Sequence, residues 1–121
     1  MNENELNQLR TLSKEIKRQQ EYLVELQCHP GGYEGEIAEL KREIRKNLVR
    51  CFAEKCRLER VISTVDDSQA RLIMRLRHVS CYSWDEIAAE LAVFDDEGNL
   101  LDGPSRATVR RRYRECVRKL V

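Results

Sequence analysis

The sequence predicts an all-α protein: a long antiparallel helical hairpin of coiled-coil type, then a compact group of shorter helices interrupted by a long insert. Three observations carry this. Two breaker-free amphipathic stretches, about 3–27 and 36–63, flank the proline- and glycine-rich HPGGYEG at His29–Gly35. Helix-start signals recur ahead of shorter apolar stripes in the second half. The composition, 41% hydrophobic and 36% charged with 6% aromatic, suits helices that each bury one stripe better than a thick core. A chain of 121 residues is one ordinary domain or a small domain with an appendage. The natural division sets a helical hairpin at 1–64 before a compact unit at 65–121.

Taken in order, the first stretch places Leu9, Leu12, Ile16, Leu23 and Leu26 at heptad-like spacing, with Gln19 as a polar interruption of the seam. HPGGYEG then stops the helix. The second stretch carries Ile37, Leu40, Ile44, Leu48, Cys51, Phe52, Leu58 and Ile62. Two long stripes joined by a short breaker pack on each other as a hairpin. Two helices alone leave apolar surface uncovered, so a homodimer through these N-terminal helices is also expected.

Beyond the hairpin, Asp67 or Ser68 is the N-cap of a helix running to about Val79 through Ile73 and Leu76. Ser83 caps the short helix WDEIAAEL, and Glu86 three residues on completes a capping box. In VFDDEGNLLDGP, Val93-Phe94 and Leu100-Leu101 flank an acidic turn at Asp96–Asn99, the pattern of a small β-hairpin. A final helix starts at Ser105 and runs to Val121.

That last helix holds the strongest chemical signal. Val109, Tyr113, Cys116, Val117 and Leu120 form one apolar stripe. At about 100° per residue, Ala107, Thr108, Arg111, Arg114 and Arg118 fall opposite it, while Arg106, Arg110 and Arg112 flank it. From Pro104 to Val121, six arginines and one lysine stand against the single acid Glu115, within a protein of net charge +1. Basic charge gathered on one exposed helix face is the footprint of phosphate binding; the plainer reading is a solvated basic surface. The preceding short helix favours the first reading. In a helix-turn-helix the second helix enters the major groove, where Ser and Thr reach base edges or phosphates and Arg pairs with guanine.

The segment ARLIMRLRHVSCYSWDEIAAEL followed by SRATVRRRYRECVRKL resembles the fourth conserved region of bacterial sigma factors and the sigma-like regulators of bacteriophages. Ile73, Leu76, Arg77, Val79, Ser83, Trp84, Glu86, Ile87, Ala88, Leu91, Thr108, Val109 and Leu120 stand where that pattern places them, over roughly residues 67 to 121. The resemblance implies a helix-turn-helix that binds double-stranded DNA. It implies Ser105, Arg106, Ala107, Arg110 and Arg111 facing bases, beside Thr108, with Arg114 and Arg118 on phosphates. RNA polymerase is an implied second partner. Two departures qualify it. The family turn is a few residues, whereas about a dozen separate the two helices here. The acids Asp95, Asp96, Glu97 and Asp102 would be repelled by phosphates, so the insert is expected to point away from DNA or to contact a partner. Nothing in the chain resembles the sigma region that melts promoter DNA, which implies an accessory regulator of phage or prophage type rather than a complete sigma factor.

Other chemistries find less support. Cys28-His29, Cys51-x4-Cys56 and His78-x2-Cys81 do not make the paired CxxC pattern of a structural zinc site. No glycine-rich phosphate loop or nucleophile elbow occurs. The expectation is therefore no enzyme, no cofactor and no metal. No apolar run has spanning length, and an odd cysteine count without a secretory signal argues against a disulfide framework; no membrane association and a cytoplasmic location are expected. Two alternatives to a regulator stand beside it: a DNA-recognition subunit of phage packaging of the small-terminase type, and a coiled-coil interaction protein whose arginine helix binds an acidic protein instead of DNA.

Overall fold

A computed structural model describes residues 1–120; Val121, at which the last helix is expected to end, lies outside the described residues. Among the described residues the fold is mostly helical, with five helices and one two-stranded sheet. Helix α1 spans Glu3–Cys28, and the Asn2 side chain accepts from the Glu5 backbone N–H at 2.8 Å, satisfying a donor the helix itself leaves open. Gly31 and Gly32 adopt φ of 69° and 86°, a left-handed backbone that suits glycine, and the chain turns back into α2, Glu34–Ile62.

The facing stripes of α1 and α2 bury Leu9, Leu12, Ile16 and Leu26 against Ile44, Cys51, Leu58 and Ile62. Leu23, Ile37, Leu40 and Leu48 are half-buried. Phe52, expected on this stripe, is instead 64% exposed. It stands about 100° around the helix from Cys51, and with Cys51 turned inward it faces solvent. The polar break in the seam has a partner: Asn47 is buried and its Nδ2 donates to Gln19 Oε1 at 3.1 Å. Pairing these amides inside the seam fixes which turn of α1 faces which turn of α2.

Helix α3, Ser68–His78, begins at Asp67, whose carboxylate accepts from the Gln69 and Ala70 backbone N–H groups. Arg71 Nη1 donates to Val65 O at 2.6 Å and to Asp66 O at 3.0 Å, and Arg75 meets the Glu59 carboxylate of α2 at 3.1 Å. These contacts tie α3 to the end of α2. Cys81 takes a left-handed φ of 58°, an uncommon conformation for a residue with a side chain, in a turn where the Tyr82 N–H returns to Leu76 O at 2.8 Å. Helix α4, Trp84–Glu90, carries the full Ser83–Glu86 capping box. The Ser83 hydrogen bonds hold the Glu86 carboxyl below the usual range.

Strands β1, Val93–Phe94, and β2, Leu100–Asp102, pair antiparallel with a register shift between Val93 and Phe94. Helix α5, Arg106–Lys119, closes the chain on an N-cap in which Ser105 Oγ accepts from the Thr108 backbone N–H at 3.2 Å. Its stripe of Val109, Tyr113, Cys116 and Val117 is buried against α3 and α4.

One core runs through both halves of the chain. Leu6 and Leu9 of α1 and Leu58 and Ile62 of α2 join Ile73, Met74, Ile87, Val109 and Tyr113 in a single buried cluster. Leu6, which precedes the expected α1 stripe, is completely buried. Burying such a side chain contributes about 1.5–3 kcal/mol. Because α1 contacts α3 as well as α2, the base of the hairpin serves as one wall of the unit that carries α5.

Candidate nucleic-acid interface

Helix α5 buries its stripe through Val109, which is fully enclosed, and Tyr113. The opposite side is left to solvent: Ser105, Arg106, Ala107, Arg111, Arg114 and Arg118 are exposed, while Thr108, Arg110 and Arg112 are half-buried. Ala107, Arg110, Arg111, Arg114 and Arg118 line a shallow depression of about 270 Å³ together with the acid Glu115. Five of the eight residues expected to face DNA are thus brought together.

The other three are held differently. Ser105 Oγ is occupied by the N-cap and also lies 3.0 Å from Thr108 Oγ1, so each hydroxyl has an intramolecular partner. Arg106 Nη1 stands 4.0 Å from the Asp85 carboxylate of α4, an exposed pair that contributes little to stability but draws the starts of α4 and α5 together. Arg112 is turned from the depression, with its Nη1 donating to Gln69 Oε1 on α3.

The angle of α5 is set by a polar and aromatic layer beneath it. Trp84 is half-buried, with its ring edge-on to Tyr113 at 5.0 Å. The Arg77 guanidinium lies 4.1 Å from the Trp84 ring centroid, and that of Arg110 lies 5.9 Å from it. The exposed side of the indole is therefore covered by cations, an attraction to the negative ring face. Arg77 Nη1 also donates to Tyr82 O at 3.0 Å, which secures the α3–α4 turn.

Below Trp84, the buried His78 ring has Nε2 2.7 Å from the Tyr113 hydroxyl. Burial pushes the His78 pKa down to about 4, assisted by Arg77 and Arg10, with only the Leu6 backbone acting in the other direction. Burial likewise pushes the Tyr113 phenol up to about 12. Both groups are neutral near pH 7, so the layer holds α5 to α3 by a neutral hydrogen bond.

Glu3 is the participant that sequence spacing did not indicate. It lines a second depression with Arg114, Val117 and Arg118, so the start of α1 reaches the far end of the arginine face. No stripe or motif signals this contact, because it joins residues from opposite ends of the sequence. Among the described residues, no group of three or more His, Cys, Asp or Glu is placed to hold a metal ion, and no helix is long and apolar enough to cross a membrane. No protein-family model, curated protein or solved structure matches the chain.

Proposed function

We propose that the chain is a sequence-specific DNA-binding transcriptional regulator of the kind bacteriophages and prophages encode, in which α4 and α5 act as a helix-turn-helix and α5 reads the major groove. The observation that carries this reading is the segregation of α5, with an apolar stripe packed on α3 and α4 and Arg111, Arg114 and Arg118 grouped on the exposed side. A side chain at such a helix start reaches base edges, and arginines further along meet phosphates. Ala107, Arg110 and Arg111 are assigned to bases, together with Ser105, Arg106 and Thr108 at the helix start. Arg114 and Arg118 are assigned to the backbone. The sigma-like pattern over residues 67 to 121 supports the same docking, with RNA polymerase as a second partner. In this reading the protein recognises and positions; it carries out no chemistry on its ligand.

The test is titration of labelled duplex DNA at several salt concentrations, followed by selection of bound sequences from a random pool. Binding through several phosphates loses about 10³–10⁵ in affinity between 50 and 200 mM salt when six to ten contacts are made, and proportionately less for fewer. Absence of binding even at low salt would leave the arginine face to an acidic protein partner and overturn the proposal.

A further inference from the structure

Two exposed apolar surfaces of this chain carry opposite charge. The first is the β1–β2 hairpin. Val93, Phe94, Leu100 and Leu101 are all more than half exposed, and Asp96, Glu97 and Asp102 surround them. Its tip is already organised: Asp95 Oδ1 accepts from the Glu97 and Asn99 backbone N–H groups at 3.0 and 2.8 Å, and those bonds hold the Asp95 carboxyl below its ordinary range. A preformed element loses little conformational freedom on docking.

The second surface is the outer side of α2, turned away from α1. At about 100° per residue, Arg42, Arg45, Val49, Phe52, Cys56 and Arg60 share the side opposite Ile44, Cys51 and Leu58. Val49 is 67% and Phe52 64% exposed. Between Arg42 and Arg60 the acid that borders this side is Glu59, about 20° around the helix from Phe52, and its carboxylate is already paired with Arg75 of α3 at 3.1 Å. Apolar side chains exposed in a row with charged flanks mark an interaction surface, and here the flanks are basic.

We propose that copies of this chain associate head to tail, the acidic hairpin of one seated on the arginine-flanked Val49–Phe52–Cys56 stripe of the next. Charge selects this pairing over the symmetric ones. Two α2 stripes pressed together would gather arginines on arginines, and two hairpins would gather Asp96, Glu97 and Asp102 on their own copies. Hairpin on stripe sets acids against arginines around a shared apolar centre, the arrangement that steers and registers an interface. Such a contact is heterologous: each copy retains one unused hairpin or stripe, so association continues beyond two unless the ring closes. The surfaces are small, which places the contact among weak, transient interfaces. The proposal uses residues outside α5 and does not rest on DNA binding.

The experiment is sedimentation velocity over a concentration series, with Phe94→Asp to disable the hairpin and Phe52→Glu to disable the stripe. Wild-type mass is expected to rise with concentration, and each variant alone is expected to associate at least tenfold more weakly. An equimolar mixture of the two is expected to form 1:1 dimers and stop there, because only the intact hairpin of one and the intact stripe of the other remain. Circular dichroism monitors folding, and Leu101→Asp with Val49→Glu replaces either variant that unfolds. A wild type that stays monomeric to about 1 mM, where weak contacts register, overturns the proposal. So does a variant that associates like wild type, or a mixture that fails to restore dimers.

Discussion

Val109 determines which arginines of α5 are free, since its complete burial leaves Arg111 and Arg118 on the outer side. If α5 reads DNA as proposed, the two are expected to fail differently. Arg111→Ala should cost about 1–3 kcal/mol on the preferred DNA site and relax its sequence preference, whereas Arg118→Ala should weaken all duplexes by a similar factor; competition titrations with specific and scrambled duplexes separate the two. His78 makes a prediction of another kind. Its folded pKa of about 4 lies below the ordinary 6.5, so the unfolded chain binds the proton first as pH falls. The associated stability is present above pH 6.5 and is lost progressively towards pH 4, on the order of 3 kcal/mol. Urea unfolding at a series of pH values checks this, and His78→Leu should flatten the profile over that window. Tyr113→Phe, which removes the buried partner of His78 Nε2, should destabilise by about 1–3 kcal/mol at pH 7. Trp84→Ala should cost less than the about 3–5 kcal/mol of a fully enclosed aromatic, because the indole is only half-buried.

At the scale of elements, the hairpin seam depends on one buried amide pair. Replacing both members, Gln19→Leu with Asn47→Leu, should leave thermal stability equal or higher, because removing two polar partners together strands neither. The same double change should loosen the pairing of α1 with α2, read as lowered order of side-chain signals by NMR. Local elements were legible where a local rule governs them: the cap at Asp67 or Ser68, the cap at Ser83, the helix start at Ser105, the breaker before α2, and the acidic turn flanked by Val93-Phe94 and Leu100-Leu101. Spacing alone puts Phe52 on the stripe with Cys51, but residues next to one another on a helix share a sequence window and point about 100° apart, so Phe52 faces solvent. Leu6 lies ahead of the α1 stripe that spacing marks, and its burial depends on α3 as well as α2 packing on the start of α1. Much of the layer that orients α5 was hidden for the same reason. The Arg112–Gln69 and His78–Tyr113 contacts join positions 43 and 35 residues apart, and no spacing rule reaches that far. The arginine grouping itself was visible, since one helix supplies it.

For the whole molecule, the shared core means that the hairpin and the arginine helix do not have separate stabilities. Leu6→Ala lies far from α5 in sequence yet should destabilise the entire protein by about 2–5 kcal/mol, with one cooperative unfolding transition seen alike by far-ultraviolet dichroism and Trp84 fluorescence. Two separate transitions would show that the halves fold independently. The position of Leu6 also has a consequence for biosynthesis. Helices α1 and α2 are joined by a short turn and can pair as soon as both have left the ribosome, because their contacts are local. The pocket around Leu6, Leu58 and Ile62 is completed only when α3, which packs on both α1 and α2, delivers Ile73 and Met74. During that interval the base of the nascent hairpin displays bare apolar surface, the species most prone to misassociation or chaperone capture. Helix α3 is thus also the stopper of the hairpin's base: its arrival ends the vulnerable stage of folding.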